Sequence, residues 1–225
     1  MNYIFLMAAL PIALLNWIAV AQGWRRVEWL VKPTVMLALL AFTISNGGLQ
    51  PGMIWFIFGL AFSLAGDVFL MLPNERFIAG LVSFLLAHIC YIIGLNPIPP
   101  LKTPHLIAAT LILVLVAMPA SQIYRRIAAG LQTRHQDQLK LPVLAYTIVI
   151  SVMLISALFT MLRGSWPAAQ ALLVSAGAAS FFLSDAILAW NKFVSPLPRG
   201  RMWNMITYHL GQMMIALGAT LYFHS

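Results

Sequence analysis

Eight apolar stretches follow one another along this chain, at about residues 3–21, 31–45, 52–72, 77–95, 104–121, 141–162, 167–190 and 203–223. Most are close to the 20 residues that a helix needs to cross the hydrocarbon core of a bilayer. In that core every backbone polar group must be satisfied within its own segment, so the stretches have to be helices. Charged residues are 8% of the 225, the apolar fraction is 62% and the mean hydropathy is +0.91. A soluble domain carries roughly a quarter charged residues. The chain therefore reads as all-α: one polytopic membrane domain, residues 1–225, with about eight transmembrane helices. The net charge of +8 does not point to nucleic acid, because the basic residues fall in short segments between apolar runs. Cys90 is the single cysteine and excludes an internal disulfide. The start, Met1-Asn2-Tyr3, has no basic region, so the first run is expected to be a retained helix rather than a signal peptide.

Loop charge orients the spans. Loops one, three, five and seven carry Arg25, Arg26, Lys32, Arg76, Arg125, Arg126, Arg134, Lys140, Lys192, Arg199 and Arg201, whereas the even loops carry only Lys102 and Arg163. The odd loops are expected in the cytoplasm and both termini outside, as in a bacterial inner membrane. Helix two is expected to open at Lys32-Pro33, where a first-turn proline is well tolerated.

The chain also resembles itself. Gln22-Gly23-Trp24-Arg25-Arg26 is echoed by Gln122-Ile123-Tyr124-Arg125-Arg126, and each is followed by a lysine beside a proline, Lys32-Pro33 and Lys140-Leu141-Pro142. Phe62 to Leu70, which contains Gly66-Asp67-Val68, is echoed by Phe181 to Leu188, which contains Ser184-Asp185-Ala186; a histidine follows on the next helix in both cases, His88 and His209. This suggests two parallel four-helix pseudo-repeats, about 1–96 and 101–225. Such repeats often hold a site between the halves.

Asp67 and Asp185 mark the place to look. The chain has three aspartates and two glutamates, and two of these five acids lie within apolar runs. An aspartate at the centre of a spanning helix costs roughly 2.5–3.5 kcal/mol on an insertion scale, and such residues are functional candidates by default. Asp67 is six residues before Pro73 and Asp185 six before Asn191. Both are then about 9 Å from the same end of parallel helices, and one shared wet cavity in the cytoplasmic half accounts for both. Asn204, Tyr208 and Gln212 form a stripe on helix eight, and Phe84, His88 and Tyr91 share a face of helix four. The histidines and tyrosines could equally be interhelical hydrogen-bonders or interface aromatics. Lys32, Arg76 and Lys192 could be cytoplasmic anchors. Gly59, Gly66, Gly80 and Gly177 suit close helix packing.

These residues together resemble the YhhN-like membrane family, the lysoplasmalogenases. The resemblance is carried by Gly66-Asp67-Val68-Phe69-Leu70-Met71-Leu72-Pro73 and by Phe84-Leu85-Leu86-Ala87-His88-Ile89-Cys90-Tyr91. It continues through Leu183-Ser184-Asp185-Ala186-Ile187-Leu188-Ala189, Thr207-Tyr208-His209-Leu210-Gly211-Gln212 and Lys32-Pro33. His209 and Gly211 stand where the family pattern favours tyrosine and alanine. The resemblance implies hydrolysis of the vinyl ether of a lysoplasmalogen to a fatty aldehyde and glycerophosphoethanolamine or glycerophosphocholine. Protonation of the vinyl ether needs a carboxylic acid and a neighbouring anion for the oxocarbenium ion. Asp67 and Asp185, sharing one proton, suit that chemistry. Lys32, Asn191 and Lys192 are expected at the phosphate, and His88, Tyr91, Tyr208 and Gln212 around the glycerol, the water and the acids. The chemistry requires neither metal nor cofactor. Competing readings are a proton-coupled transporter, which also uses repeats and buried acids, and a zinc hydrolase with Asp67, Asp185, His88 and His209 as ligands. A serine lipase is disfavoured by the lack of G-x-S-x-G.

Overall fold

The computed structural model describes residues 1–48, 50–72, 76–96 and 105–224. Pro73 and Lys102, used above for depth and loop charge, lie outside them. The described residues form eight α-helices and no strand. The helices are α1 (Ile4–Gln22), α2 (Arg25–Gly47), α3 (Met53–Met71), α4 (Phe77–Leu95), α5 (Leu106–Thr133), α6 (Lys140–Thr160), α7 (Ala168–Phe193) and α8 (Gly200–His224). The protein is a multi-pass membrane protein. Ile107, Leu111 and Leu115 are largely exposed on α5, and Ile4 and Met7 on α1. Their outward faces belong in lipid.

The spans begin and end differently from the hydropathy runs. Between α1 and α2 there are only two residues, because Gly23 adopts the left-handed conformation (φ 73°) and its N–H closes α1 on the Ala19 carbonyl. Helix α2 therefore starts at Arg25, and Pro33 lies inside it rather than in its first turn. A proline there removes one backbone bond, to the carbonyl four residues back. The turns before it hold nonetheless, since Glu28 is tied to Arg201 on α8. Helix α5 runs on past residue 121 to Thr133, so Arg125 and Arg126 are helical. This extension brings Ile127 and Leu131 onto Val143 and Phe193, a second small core with no equivalent among the hydropathy runs. Lys32, Lys192 and Arg201 are likewise on helices.

Among the described residues seven helices are long and apolar enough to cross a membrane. The eighth, α8, has the length: 25 residues rise about 37 Å. Its apolarity is diluted by Asn204, Tyr208, His209 and Gln212, which are buried against other helices rather than against lipid. It packs on α1, α2, α3 and α7. At one end Arg201 meets Glu28, and at the other His224 reaches the Asn46 carbonyl at 3.0 Å. Asn46 is also bonded to Asn2. Both chain termini thus lie at the end of the bundle that bears the even-numbered loops.

The main core draws on all eight helices, α5 through Val116, and includes Phe56, Tyr91, Phe181 and Tyr208. Helices α7 and α8 come closest where Gly177 faces Gly211. A Cβ on Gly177 would stand 2.8 Å from the Gly211 carbonyl oxygen, and one on Gly211 2.9 Å from that of Gly177. Small residues at such a crossing let backbones approach closely. This approach carries Asp185 and Tyr208, one turn or two away, to the same side of the bundle.

Candidate active site

A cavity of about 410 Å³ opens at the end of the bundle where α2 and α8 begin and α3 and α7 finish. Asp67 and Asp185 both line it, together with Lys32, Ser184, Asn204 and Tyr208. The two acids have different neighbours. Asp67 is 1% exposed. Its Oδ1 lies 2.9 Å from the Lys32 ammonium, and its Oδ2 accepts a hydrogen bond of 2.7 Å from the Tyr208 hydroxyl. The Lys32 ammonium lies 5.7 Å from the centre of the Tyr208 ring, which it caps. A buried carboxylate and a buried ammonium each cost several kcal/mol alone, and pairing with added hydrogen bonds is what makes them tolerable.

Among the described residues no lysine or arginine is bonded to Asp185. Its Oδ2 accepts from the hydroxyl of Tyr146, on α6. The Nε2 of His88 is 3.8 Å from the same oxygen, beyond hydrogen-bond range. His88 Nδ1 faces the Phe84 carbonyl. A carbonyl can only accept, so Nδ1 carries the hydrogen and Nε2 presents a lone pair. That Nε2 is buried and has no hydrogen-bond partner among the described residues. The imidazole is held edge-on to Tyr146 and against Phe181.

A second, apolar slot of about 70 Å³ reaches Asp185 from the other side. Its walls come from α3, α4, α5, α6 and α7, among them Leu70, Phe77, Ala120, Ile123, Ile150 and Phe182. The two spaces share four residues, Leu70, Phe84, Asp185 and Leu188. Asp185 therefore stands where a polar chamber meets an apolar one.

The other expected site residues are distributed around these spaces. Tyr91 and Gln212 do not line the cavity. The Tyr91 hydroxyl donates to Gln212 Oε1 (2.7 Å), and Gln212 Nε2 donates to Ser63 Oγ (2.9 Å). Ser63 is one turn from Asp67 and Gln212 one turn from Tyr208, so this buried chain ties α3, α4 and α8 together directly behind the Asp67–Tyr208 bond. Asn191 and Lys192 line an adjoining depression that shares Leu188 and Arg201 with the cavity. The Asn191 side chain accepts from the Leu197 N–H at 2.7 Å, and the Lys192 ammonium sits 4.9 Å from the Phe77 ring centre. Asn204 binds Ser184 through its amide, at 2.8 Å to the carbonyl and 2.9 Å to the hydroxyl, which locks α8 to α7 beside Asp185. His209 faces α1, where Trp17 Nε1 donates to its Nδ1 at 3.0 Å. It is not brought to His88. Among the described residues no three of His, Cys, Asp and Glu are grouped to hold a metal ion.

Two features were not expected. Tyr146, partner of Asp185, is a tyrosine inside an apolar run, without the polar neighbours on its helix face that drew attention to Tyr91 and Tyr208. The cavity mouth is lined by Arg25, Glu28, Trp29 and Arg201. Glu28 is one of only two glutamates and lies four residues before Lys32, on the same face of α2.

A bundle of membrane-crossing helices defines the class, a multi-pass membrane protein, and in this one two carboxyls, Asp67 and Asp185, line one cavity. Its family follows from the sequence comparison. The YhhN family model matches residues 27–219, and the chain belongs to that family. It is 31% identical over 207 residues to the lysoplasmalogenase TMEM86B of Mus musculus, covering 91% of this chain and 80% of that one. It is 32% identical over 211 residues to the TMEM86B of Rattus norvegicus, covering 91% and 78%. A lysoplasmalogenase of Mycobacterium bovis is 29% identical over 143 residues, covering 62% of this chain and 50% of that one. No solved structure matches the chain.

Proposed function

We propose that this protein is a lysoplasmalogenase, an enzyme that hydrolyses the vinyl ether of a lysophospholipid within the membrane. The observation that carries the reading is the junction at Asp185. A lysoplasmalogen has an apolar tail and a polar head joined through the vinyl ether, and here an apolar slot and a polar cavity meet at one carboxyl. The TMEM86B and mycobacterial relatives bear the name of the activity.

In this reading Asp185 is the acid. Its Oδ2 is held by Tyr146, which leaves Oδ1 to carry the proton. The proton moves to the β-carbon of the vinyl ether as the C=C electron pair forms the new C–H bond. The positive charge is left on the α-carbon and the ether oxygen. Asp67, held as a carboxylate by Lys32, stabilises that oxocarbenium ion. Water then adds to the α-carbon, and its proton returns to Asp185. The unpartnered Nε2 of His88, 3.8 Å from Asp185, is placed to accept a hydrogen bond from that water. Collapse of the hemiacetal breaks the bond to the glycerol oxygen, which takes the hydroxyl proton. The aldehyde leaves with the tail, and glycerophosphoethanolamine or glycerophosphocholine leaves with the head. Paired carboxyls flank a similar cation in glycosidases.

The charge of the odd-numbered loops supports a cytoplasmic mouth for the cavity and termini on the opposite face. The echoed segments support two parallel halves, in which α3 with α4 corresponds to α7 with α8.

The test is aldehyde release from a defined lysoplasmalogen by the detergent-purified chain, with Asp185→Asn alongside. Release by the wild type, lost in a folded Asp185→Asn, is the expected result. Undiminished release by the variant removes Asp185 from the chemistry. No release by folded wild type, with either ethanolamine or choline heads, turns the reading toward another lipid ether or toward transport.

A further inference from the structure

The apolar slot at Asp185 passes out through a ring of helices. Among the described residues α2, α3, α4, α6, α7 and α8 each pack on the next, and α8 closes the ring on α2. The other two helices pack against this ring, α1 on α2 and α8, α5 on α6 and α7. The slot leaves the ring between α6 and α7. Tyr146, Thr147 and Ile150 form one side of this window, and Phe182, Ala186 and Ala189 the other. Ala120, Ile123 and Ile127 of α5 cover it from the lipid side. Farther from the cavity mouth α6 and α7 touch directly, where Ser175 Oγ donates to the Ala157 carbonyl at 2.9 Å.

The two halves of α5 are held unequally. After Pro119, Ile127 and Leu131 are buried on Val143 and Phe193, and a Cβ on Gly130 would collide with the Phe193 carbonyl. Before Pro119, residues 106–115 contribute no buried side chain, and Ile107, Leu111 and Leu115 are 79%, 65% and 70% exposed. Helix α1 also contains a proline, Pro11, but Ala9 before it and Ala13 after it are both buried. A proline has no N–H for the carbonyl four residues back, here that of Leu115, and helices bend at such positions. The slot itself measures about 70 Å³. One water takes roughly 10–15 Å³ of such space, so the slot holds about six methylene-sized groups. A longer tail has to continue past Ala120 and Ile123. It cannot turn toward the cavity mouth, because that end of the slot is shut by Phe77, edge-on to Phe193 at 5.4 Å.

We propose that α5 is a lipid-side door. The part before Pro119 swings away from α6 and lets the tail of a single-chain lipid pass sideways between the bilayer and Asp185, and the part after Pro119 is the fixed post. This rests on the hydrolase reading above, which supplies the occupant. The swing costs little. Side chains of the moving arm exchange contacts with α6 for contacts with lipid tails, which are equally apolar. The one polar side chain in residues 106–118, Thr110, is bonded within its own helix, to the Leu106 carbonyl at 2.9 Å, so opening strands no polar group in hydrocarbon. The bond that a bend at Pro119 would otherwise break is already missing. The post keeps its place through Ile127 and Leu131 and through the Tyr124 hydroxyl, which donates to the Lys140 carbonyl at 3.3 Å. The aldehyde, which keeps the tail, leaves by the same window, while the head leaves through the polar mouth.

The experiment reads the door and the chemistry separately, on the full chain in phosphatidylcholine nanodiscs. Nitroxides on Leu111→Cys and Val152→Cys, both exposed positions, report the distance between the moving arm and α6 by pulsed electron paramagnetic resonance, in a Cys90→Ala background. An uncleavable 1-alkyl lysolipid with a long tail should add a longer distance, whereas one with a tail of about six carbons, which the slot holds whole, should not. Pro119→Ala restores the missing backbone bond and should suppress the longer distance. In the aldehyde assay the same variant should lower kcat/KM about tenfold for the long-tailed 1-alkenyl lysolipid and leave the six-carbon one unchanged, because opening then breaks a hydrogen bond that Pro119 leaves unmade. A distance that ignores the long-tailed lipid overturns the proposal. So does a Pro119→Ala variant that turns over both tails as the wild type does, or that slows both equally. If the distance responds to the long tail and no aldehyde is released from either substrate, the hydrolase reading falls and the door stands. If aldehyde is released while the distance stays fixed, the door falls alone.

Discussion

Asp67 and Asp185 are the same residue type, on helices the sequence presents as counterparts, and they line one cavity. Their surroundings are nonetheless opposite in kind. Asp67 is enclosed, with an ammonium at 2.9 Å and a phenol at 2.7 Å. Among the described residues Asp185 has only the Tyr146 hydroxyl bonded to it, a His88 nitrogen just out of reach, and 13% of its side chain exposed. A carboxyl clamped to a lysine is suited to hold negative charge. One without a bonded cation, at the meeting of two chambers, is suited to hand over a proton. The difference teaches that two acids on one cavity need not be equivalent, since the partner helices α2, α4, α6 and α8 surround each with different groups.

The sharpest way to break this comparison is Asp185→Asn. An amide can still accept from Tyr146, so the fold should survive while aldehyde release falls by roughly 10²–10⁴, the usual worth of a positioned general acid. Activity equal to wild type would end the assignment. Asp67→Asn should behave differently, because it leaves the Lys32 ammonium buried without its counter-ion. A loss of about 3–5 kcal/mol in stability is expected beside the loss of activity. Combining it with Lys32→Met should recover most of the stability and none of the rate. If Asp67→Asn unfolds no more readily than Asp185→Asn in a thermal melt, the two acids are not distinguished by pairing.

The tyrosines sharpen the same contrast on a smaller scale. Tyr208→Phe and Tyr146→Phe each remove one hydrogen bond to a carboxyl, worth about 1.5–3 kcal/mol when the acceptor is charged. Tyr208→Phe should cost more stability, because its acceptor is the carboxyl paired with the Lys32 ammonium. Tyr146→Phe should act mainly on kcat. Equal effects of the two on melting and on kcat would remove that distinction. The smallest effect is expected in the apolar slot. Ala120→Phe should narrow it and shift preference toward shorter tails by a few-fold, the worth of one or two methylenes. An unchanged chain-length profile would mean that the tail lies elsewhere.

Much of this was legible along the chain. Hydropathy located all eight helices, and the rarity of acids singled out Asp67 and Asp185. The depth argument placed the pair toward one end of their helices, which is where the cavity opens. Other features were not legible. Pro33 and Lys32 read as a helix start, yet α2 begins at Arg25, because its first turns are anchored by Arg201, 173 residues away. The extension of α5 through Arg125 and Arg126 depends on Ile127 and Leu131 finding Phe193. Tyr91 and Gln212, expected at the substrate, bond to each other instead, since their helix faces meet behind the acids. Tyr146 carried no mark that separates it from an interface aromatic.

The sequence by itself determined that this is a bundle of membrane helices, that two acids lie within them, and which end of the bundle is basic. Each of these follows from the free energy of moving residues between water and hydrocarbon, which is summed along the chain and needs no neighbour. Only the tertiary structure decided that Lys32 and Tyr208 belong to Asp67, that Tyr146 belongs to Asp185, and that two chambers meet there. Those pairings depend on which helix faces are pressed together, through contacts such as Gly177 on Gly211. The apolar pattern of a single helix says which faces can be buried, and it does not say against what.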